Sequence, residues 1–268
     1  MLKPKNNFKV VTDKKTARVI LPNMLTLIGV CIGLTSIRFA LDGRFEFAIV
    51  AIILAAVIDG LDGRIARLIK GTSKVGKELD SLTDMISFGV APAFIMYFWK
   101  LNTLGRFGWL VCLIYVICVA LRLARFNVNS TQEPSWRDNF FEGVPSPAGG
   151  ILVLTPLIFS MTNFEIIPIN YDIVVPIFFI ATSFLLISKF PSYSFKKIVI
   201  QRKTTIFLLF GIVLFFGLLL IYPFNLIAIS AIIYLAMLPI SFFHYQKLKK
   251  QNEDQNFRDE DDDLEDVL

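Results

Sequence analysis

The chain has 268 residues, of which 55% are hydrophobic and 26 are phenylalanine, and its mean hydropathy is +0.63. A soluble domain of this length has no interior large enough for that much apolar surface, so lipid is the expected solvent. The net charge is +5, and the three cysteines lie in apolar stretches without metal-ligand spacing, which argues against both a zinc site and a disulfide framework.

The chain begins with a basic arm, residues 1–22, which is either a helix lying on the membrane surface or a disordered segment. A bilayer core about 30 Å thick needs roughly 20 apolar residues in a helix. That length predicts about eight spans, at residues 23–41, 45–69, 80–99, 107–126, 147–162, 172–188, 204–221 and 225–243. We therefore predict an all-α polytopic transmembrane helical bundle over residues 23–250. Residues 251–268 are strongly acidic and predict a disordered tail.

Basic residues alternate between loops in a way that predicts the orientation of the bundle. Lysine and arginine cluster in the N-terminal arm, in the loops after the second, fourth and sixth spans, and after the last span. The intervening loops carry only Arg44, Lys100 and Arg106. Because positive charge marks cytoplasmic loops, both termini are expected in the cytoplasm.

Four aspartates stand in or beside apolar segments within the stretch Ala56–Pro92: Asp59, Asp62, Asp80 and Asp84. Charged side chains at membrane depth are expensive and indicate function. The first two share a helix face with Gly63, Ala66 and Arg67, and the last two share a face with Gly76. Two neighbouring helices would thus direct four carboxylates toward one point.

Four carboxylates gathered at low dielectric repel one another and need cations. One arginine cannot offset four acids, and oxygen ligands without nearby histidine or cysteine favour Mg²⁺ or Mn²⁺, with two ions expected. Such a nest at the cytoplasmic end of the spans suggests a lipid substrate that carries a diphosphate. The simpler interpretation is that the aspartates are helix caps and surface ion pairs, and their common register argues against it.

The spacing D-x2-D-G-x2-A-R-x8-G-x3-D-x3-D resembles the signature of the CDP-alcohol phosphotransferase family at every position. The resemblance implies an enzyme that binds a CDP-linked donor and displaces CMP with an alcohol. It implies that the four aspartates hold two metal ions and that Asp84 is also the general base. The CDP-binding positions that it implies are Asp62, Gly63, Ala66, Arg67 and Gly76.

Three further strings bear on the acceptor alcohol: residues 122–128, RLARFNV; residues 141–150, FEGVPSPAGG; and residues 87–92, SFGVAP. Arg122 and Arg125 put two guanidinium groups, which suit a carboxylate or phosphate, at the end of the fourth span. Ser146 lies in a Pro-Ser-Pro turn that would shape a small pocket. As isolated residues, the arginines are also explained as membrane anchors.

Together the three strings resemble the phosphatidylserine synthase branch of the family. That resemblance implies CDP-diacylglycerol and L-serine as substrates, with Arg122, Arg125 and Ser146 at the acceptor. Glycerol 3-phosphate and inositol phosphate, acceptors of sister branches, remain open alternatives.

The resemblance also implies a homodimer among membrane lipids, in a bacterial inner (cytoplasmic) membrane with the site facing the cytoplasm and no nucleic-acid partner. From another class, a cation transporter would need acidic residues across to the far side, and the sequence shows none there. A non-catalytic scaffold would require the complete signature to be vestigial.

Overall fold

The computed structural model describes residues 14–129, 140–162, 169–193 and 202–265. Residues 1–13 of the basic arm lie outside this part of the chain. The helices are α1 (Lys14–Leu41), α2 (Phe45–Leu68), α3 (Lys74–Asp84), α4 (Ala91–Trp99), α5 (Arg106–Asn129), α6 (Ser146–Ser160), α7 (Tyr171–Ile187), α8 (Arg202–Ile221) and α9 (Pro223–Glu265). A π-helical turn, Met85–Val90, joins α3 to α4, and a 3-10 turn, Leu101–Leu104, follows α4.

The all-α membrane fold predicted from the sequence is confirmed. Among the described residues, four helical stretches are long and apolar enough to cross a bilayer: Ile20–Leu41, Lys74–Trp99, Arg106–Val128 and Pro223–Lys249. Shorter apolar helices run over Ser146–Ser160, Tyr171–Ile187 and Leu209–Ile221. Large apolar side chains are exposed on the outside of the helices, as expected of a protein whose solvent is lipid. Eight spans and cytoplasmic termini stay predictions.

The interior is packed around the π-helical turn. Phe88 in this turn is fully buried, and so are Tyr115 of α5 and Phe179 of α7, whose rings meet edge to face at 5.4 Å between centroids. A π turn shifts the backbone hydrogen-bond pattern from the α-helical one, and such turns are frequent at functional sites. Here Tyr115 donates a 2.7 Å hydrogen bond to the Phe88 carbonyl oxygen, which holds the turn from the side.

Two elements differ from the sequence-based prediction. The third helical stretch begins at Lys74 rather than at residue 80, because the Ser73 hydroxyl caps it by accepting a 2.9 Å hydrogen bond from the Gly76 amide. Helix α9 continues to Glu265, so the backbone of residues 251–265 is helical where the sequence predicts disorder. Neither observation tests the domain boundaries, which stay predictions.

The described residues also contain a short two-stranded antiparallel sheet that the sequence analysis does not predict. Strand β1 (Phe140–Glu142) pairs with β2 (Pro191–Tyr193), Phe140 opposite Tyr193. Gly143 follows β1 with φ +76°, and an added Cβ would lie 2.9 Å from the carbonyl oxygens of Leu186 and Ser188. Because only glycine fits there, this turn sets where α6 begins, three residues later at Ser146.

Candidate active site

The carboxylate cluster is built by two helices joined through a tight turn. α2 supplies Asp59 and Asp62, and α3 supplies Asp80 and Asp84. Between them Lys70 has φ +54°, and the Gly71 amide donates to the Ala66 carbonyl oxygen at 2.9 Å. This left-handed helix end turns the chain, and α2 and α3 both pack against α1.

The structure brings the four predicted carboxylates together. Oxygen atoms of Asp59, Asp62 and Asp80 lie within 4.8 Å of one another. Asp59 is placed between Asp80 and Asp84, close enough to each for a hydrogen bond when one oxygen carries a proton. Helical spacing of three and four residues therefore predicts the convergence correctly.

Several observations fit this cluster to divalent cations. No lysine or arginine in the described ranges forms an ion pair with any of the four aspartates; the ion pairs found there join Arg38 to Asp42 and Lys100 to Asp172. One oxygen of Asp84 is buried and has no hydrogen-bond partner. Four carboxylates without a direct ion pair to lysine or arginine suit Mg²⁺ or Mn²⁺, which prefer oxygen ligands. The three grouped aspartates are thus a candidate metal centre.

A cleft of about 580 Å³ opens beside the cluster and is within the size range of small-ligand sites. All five predicted CDP-binding residues line it. The lining residues are Pro22, Asn23, Thr26, Asp62, Gly63, Ala66, Arg67, Gly71, Thr72, Ser73, Lys74, Gly76, Lys77 and Asp80.

Two of the predicted CDP-binding residues are placed in an informative way within this cleft. Arg67 is exposed, and its Nε donates to the Gly63 carbonyl oxygen at 3.1 Å rather than to a carboxylate, which leaves its other nitrogen atoms for a phosphate. Gly76 is crowded, because an added Cβ would lie 2.8 Å from Asn23 Oδ1. Gly76 thus lets α3 approach α1 closely, in addition to any contact with a nucleotide.

Sequence analysis misses the part that α1 plays. Thr26 donates a 2.6 Å hydrogen bond to Oδ2 of Asp62, and both residues are buried, 5% and 3% exposed. Thr26 and Asn23 follow Pro22, which lies inside α1. The Pro-Asn-x-x-Thr sequence places two polar residues, Asn23 and Thr26, in an otherwise apolar helix. Polar residues in such a helix indicate function, and this signal could have identified both residues from the sequence.

On the other side of Asp84, the structure separates the three predicted acceptor residues. Arg122 of α5 is only 8% exposed and donates from Nη1 to the Ser146 hydroxyl oxygen at 2.6 Å. Its charge is close enough to interact with the Asp84 carboxylate. Arg125 lies elsewhere, since it donates at 2.7 Å to the carbonyl oxygen of Ile187 at the end of α7. Arg125 therefore has an evident structural contact, whereas Arg122 and Ser146 lie beside the candidate base.

The match to known proteins extends far beyond the aspartate motif. The sequence profile of CDP-alcohol phosphatidyltransferases matches residues 19–243. This chain belongs to the CDP-alcohol phosphatidyltransferase family. The family predicted from the spacing of eight residues is thus confirmed, and helices α1–α8 and most of the apolar part of α9 fall within it.

Similar members of the family share one name. A CDP-diacylglycerol–serine O-phosphatidyltransferase of Mycobacterium leprae is 35% identical over 247 residues, 91% of this chain and 82% of that protein. One from Helicobacter pylori strain 26695 is 33% identical over 216 residues, which is 81% of this chain and 88% of that protein. One from Bacillus subtilis is 33% identical over 178 residues, which is 66% of this chain and 92% of that protein.

Proposed function

We propose that this enzyme transfers the phosphatidyl group of CDP-diacylglycerol to the hydroxyl oxygen of L-serine, forming phosphatidylserine and releasing CMP. The names of the similar proteins support serine as acceptor. The structural observation that carries the proposal is the position of Asp84. It lies between the carboxylate cluster, which suits a diphosphate, and the buried Arg122, which suits an acidic acceptor.

The aspartates Asp59, Asp62, Asp80 and Asp84 would hold two Mg²⁺ or Mn²⁺ ions. When bound, these ions neutralise the diphosphate and the charge that develops on the departing CMP. The cleft beside the cluster is where the cytidine and ribose would bind, with Arg67 available to a phosphate oxygen. The lipid chains would then extend between the helices into the bilayer.

The chain's own residues account for the acceptor half of the reaction. Asp84 takes the proton of the serine hydroxyl as the serine oxygen bonds to the lipid-side phosphorus. The bond from that phosphorus to the bridging oxygen breaks, and CMP leaves with this oxygen. Arg122, fixed by Ser146, would hold the serine carboxylate, so that the hydroxyl meets Asp84 in a defined orientation.

We further propose that the site faces the cytoplasm of a bacterial cell, where CDP-linked lipid and serine meet, and that the enzyme is a homodimer. The distribution of basic residues supports the orientation.

The test is CMP release by the purified enzyme in lipid, with Mn²⁺ or Mg²⁺ and with L-serine, glycerol 3-phosphate, inositol phosphate or no acceptor. We expect CMP release only when L-serine is the acceptor. Asp84→Asn, which keeps the shape of the side chain, should abolish this release. Asp172→Asn is the matched control, because Asp172 is paired with Lys100 away from the cluster. Release with another acceptor would overturn the serine assignment, and metal flux without CMP release would favour a transporter.

A further inference from the structure

Three buried polar atoms without hydrogen-bond partners lie around Arg122. They are Oδ1 of Asp84, Nε of Arg122 itself and the hydroxyl of Tyr234. Arg122 donates to Ser146 at 2.6 Å, and Tyr234 packs on Val144, two residues before Ser146, so the tyrosine lies in the same region as the guanidinium. The charge of Arg122 interacts with both Asp84 and Tyr234. An unpaired buried polar group is costly and rare, so three beside one another indicate a polar ligand that they share.

Tyr234 reaches this region from α9, near the end of the chain. Its ring packs on a small apolar cluster that includes Val144 and Leu152 of the α6 region and Ala231 of α9. Its hydroxyl faces that of Ser192 in β2. Ser192 donates its own proton to the Gly143 carbonyl oxygen at 2.8 Å. The Tyr234 hydroxyl makes no hydrogen bond to any described residue, so its ring holds it in place while its proton remains available.

The three atoms have complementary chemistry. Arg122 Nε and the Tyr234 hydroxyl are donors, whereas ionised Asp84 Oδ1 is an acceptor. Arg122 is already oriented through its Nη1 by Ser146, so Nε is the nitrogen directed elsewhere. Two donors suit the two oxygens of a carboxylate, and one acceptor suits a hydroxyl. A small hydroxy acid carries both groups a few bonds apart.

We infer that Tyr234 is an acceptor-recognition residue, whose hydroxyl donates to the carboxylate of the bound serine beside Nε of Arg122. This inference rests on the proposed function, since it identifies the contacts of the serine acceptor. It also gives α9 a role in substrate choice: the helix closes the acceptor pocket opposite Asp84. A phosphorylated acceptor offers a dianion with three terminal oxygens, which two donors match less well.

The test is Tyr234→Phe, which removes the hydroxyl and keeps the ring that packs on α6. A hydrogen bond to a charged group accounts for about a tenfold change in binding or more. We expect the KM for L-serine to rise at least about tenfold, with the KM for CDP-diacylglycerol unchanged. Tyr222→Phe is the matched control, because Tyr222 directly precedes the same helix and its side chain is 59% exposed.

A second ligand separates recognition of the carboxylate from a structural effect. Ethanolamine keeps the hydroxyl and amine but has no group in place of the carboxylate. As a competitor of L-serine, it should bind the wild type and Tyr234→Phe with inhibition constants within about twofold, because it offers the tyrosine hydroxyl no acceptor. An unchanged KM for serine in the variant, or an equal loss for ethanolamine or for the lipid donor, would overturn the inference. A wild-type enzyme that ignores serine would instead overturn the proposed function.

Discussion

Replacing Thr26 with valine tests whether the first helix helps to orient the carboxylates proposed to bind metal. The Thr26 hydroxyl donates to Asp62 Oδ2 at 2.6 Å in a buried position. Valine keeps the branched shape and cannot donate. A hydrogen bond to a charged group contributes about 1.5–3 kcal/mol, or roughly 10- to 150-fold in an equilibrium constant. Loss of a residue that orients a metal ligand typically lowers metal affinity about 10- to 100-fold, a range that overlaps with the first.

We therefore expect the Mn²⁺ concentration that gives half-maximal CMP release to rise about 10- to 100-fold in Thr26→Val. The rate at saturating Mn²⁺ should fall less, because the four carboxylates themselves remain. Release is measured over a Mn²⁺ series at fixed CDP-diacylglycerol and L-serine. Thr26→Ser, which restores the hydroxyl, should recover most of the affinity.

Thr35→Val is the matched control on the same helix. Thr35 is exposed, and its hydroxyl donates only within the helix, to the Cys31 carbonyl oxygen at 2.6 Å. This variant should leave the Mn²⁺ dependence as in the wild type. An unchanged Mn²⁺ dependence in Thr26→Val would refute the reasoning, since Asp62 would then be oriented without Thr26 or would not bind metal.

Two further variants address the π-helical turn. Tyr115→Phe leaves the buried Phe88 carbonyl oxygen without its 2.7 Å hydrogen bond and should destabilise the fold by about 1–3 kcal/mol. The measurement is the midpoint of thermal unfolding in detergent, which should be lower than in the wild type. An unchanged midpoint would contradict this expectation. Gly33→Ala should also lower that midpoint, by overpacking that costs about 1–3 kcal/mol, because the added Cβ would lie 3.1 Å from the Ser87 Cα and closer still to its hydroxyl. Gly211→Ala is the matched control, because no atom lies within 4 Å of the added Cβ and the φ there is not positive, so its midpoint should not fall.

The aspartate cluster could be predicted from the sequence because helix geometry is local. Offsets of three and four residues place Asp59 with Asp62, and Asp80 with Asp84, whatever the rest of the chain does. Because charge at membrane depth is costly, we expect the two helix faces that bear the aspartates to face each other rather than the lipid. The long apolar segments could be predicted for the same reason, since span length follows from bilayer thickness.

The neighbours of the cluster could not be predicted in that way. Periodicity shows which face of a helix carries polar residues and not which other helix covers it, so the contact of Thr26 with Asp62 and the approach of Tyr234 to Arg122 are found only in the fold. The π-helical turn lacks a sequence signal as well, because its hydrogen-bond shift is stabilised from outside by Tyr115. The two-stranded sheet that contains Ser192 has three residues on each strand, too few for an alternating pattern to reveal.

The signature treats the four aspartates alike, whereas the structure gives two of them different surroundings. Asp62 accepts a hydrogen bond from Thr26, which fixes the direction of its carboxylate. Asp84 has a buried oxygen with no partner and a guanidinium nearby. An oxygen already satisfied by the protein gains little from a substrate proton, whereas an unsatisfied one gains a hydrogen bond by taking it. This difference in partners supports the proposal that Asp62 is a metal ligand and that Asp84 takes the proton of the acceptor.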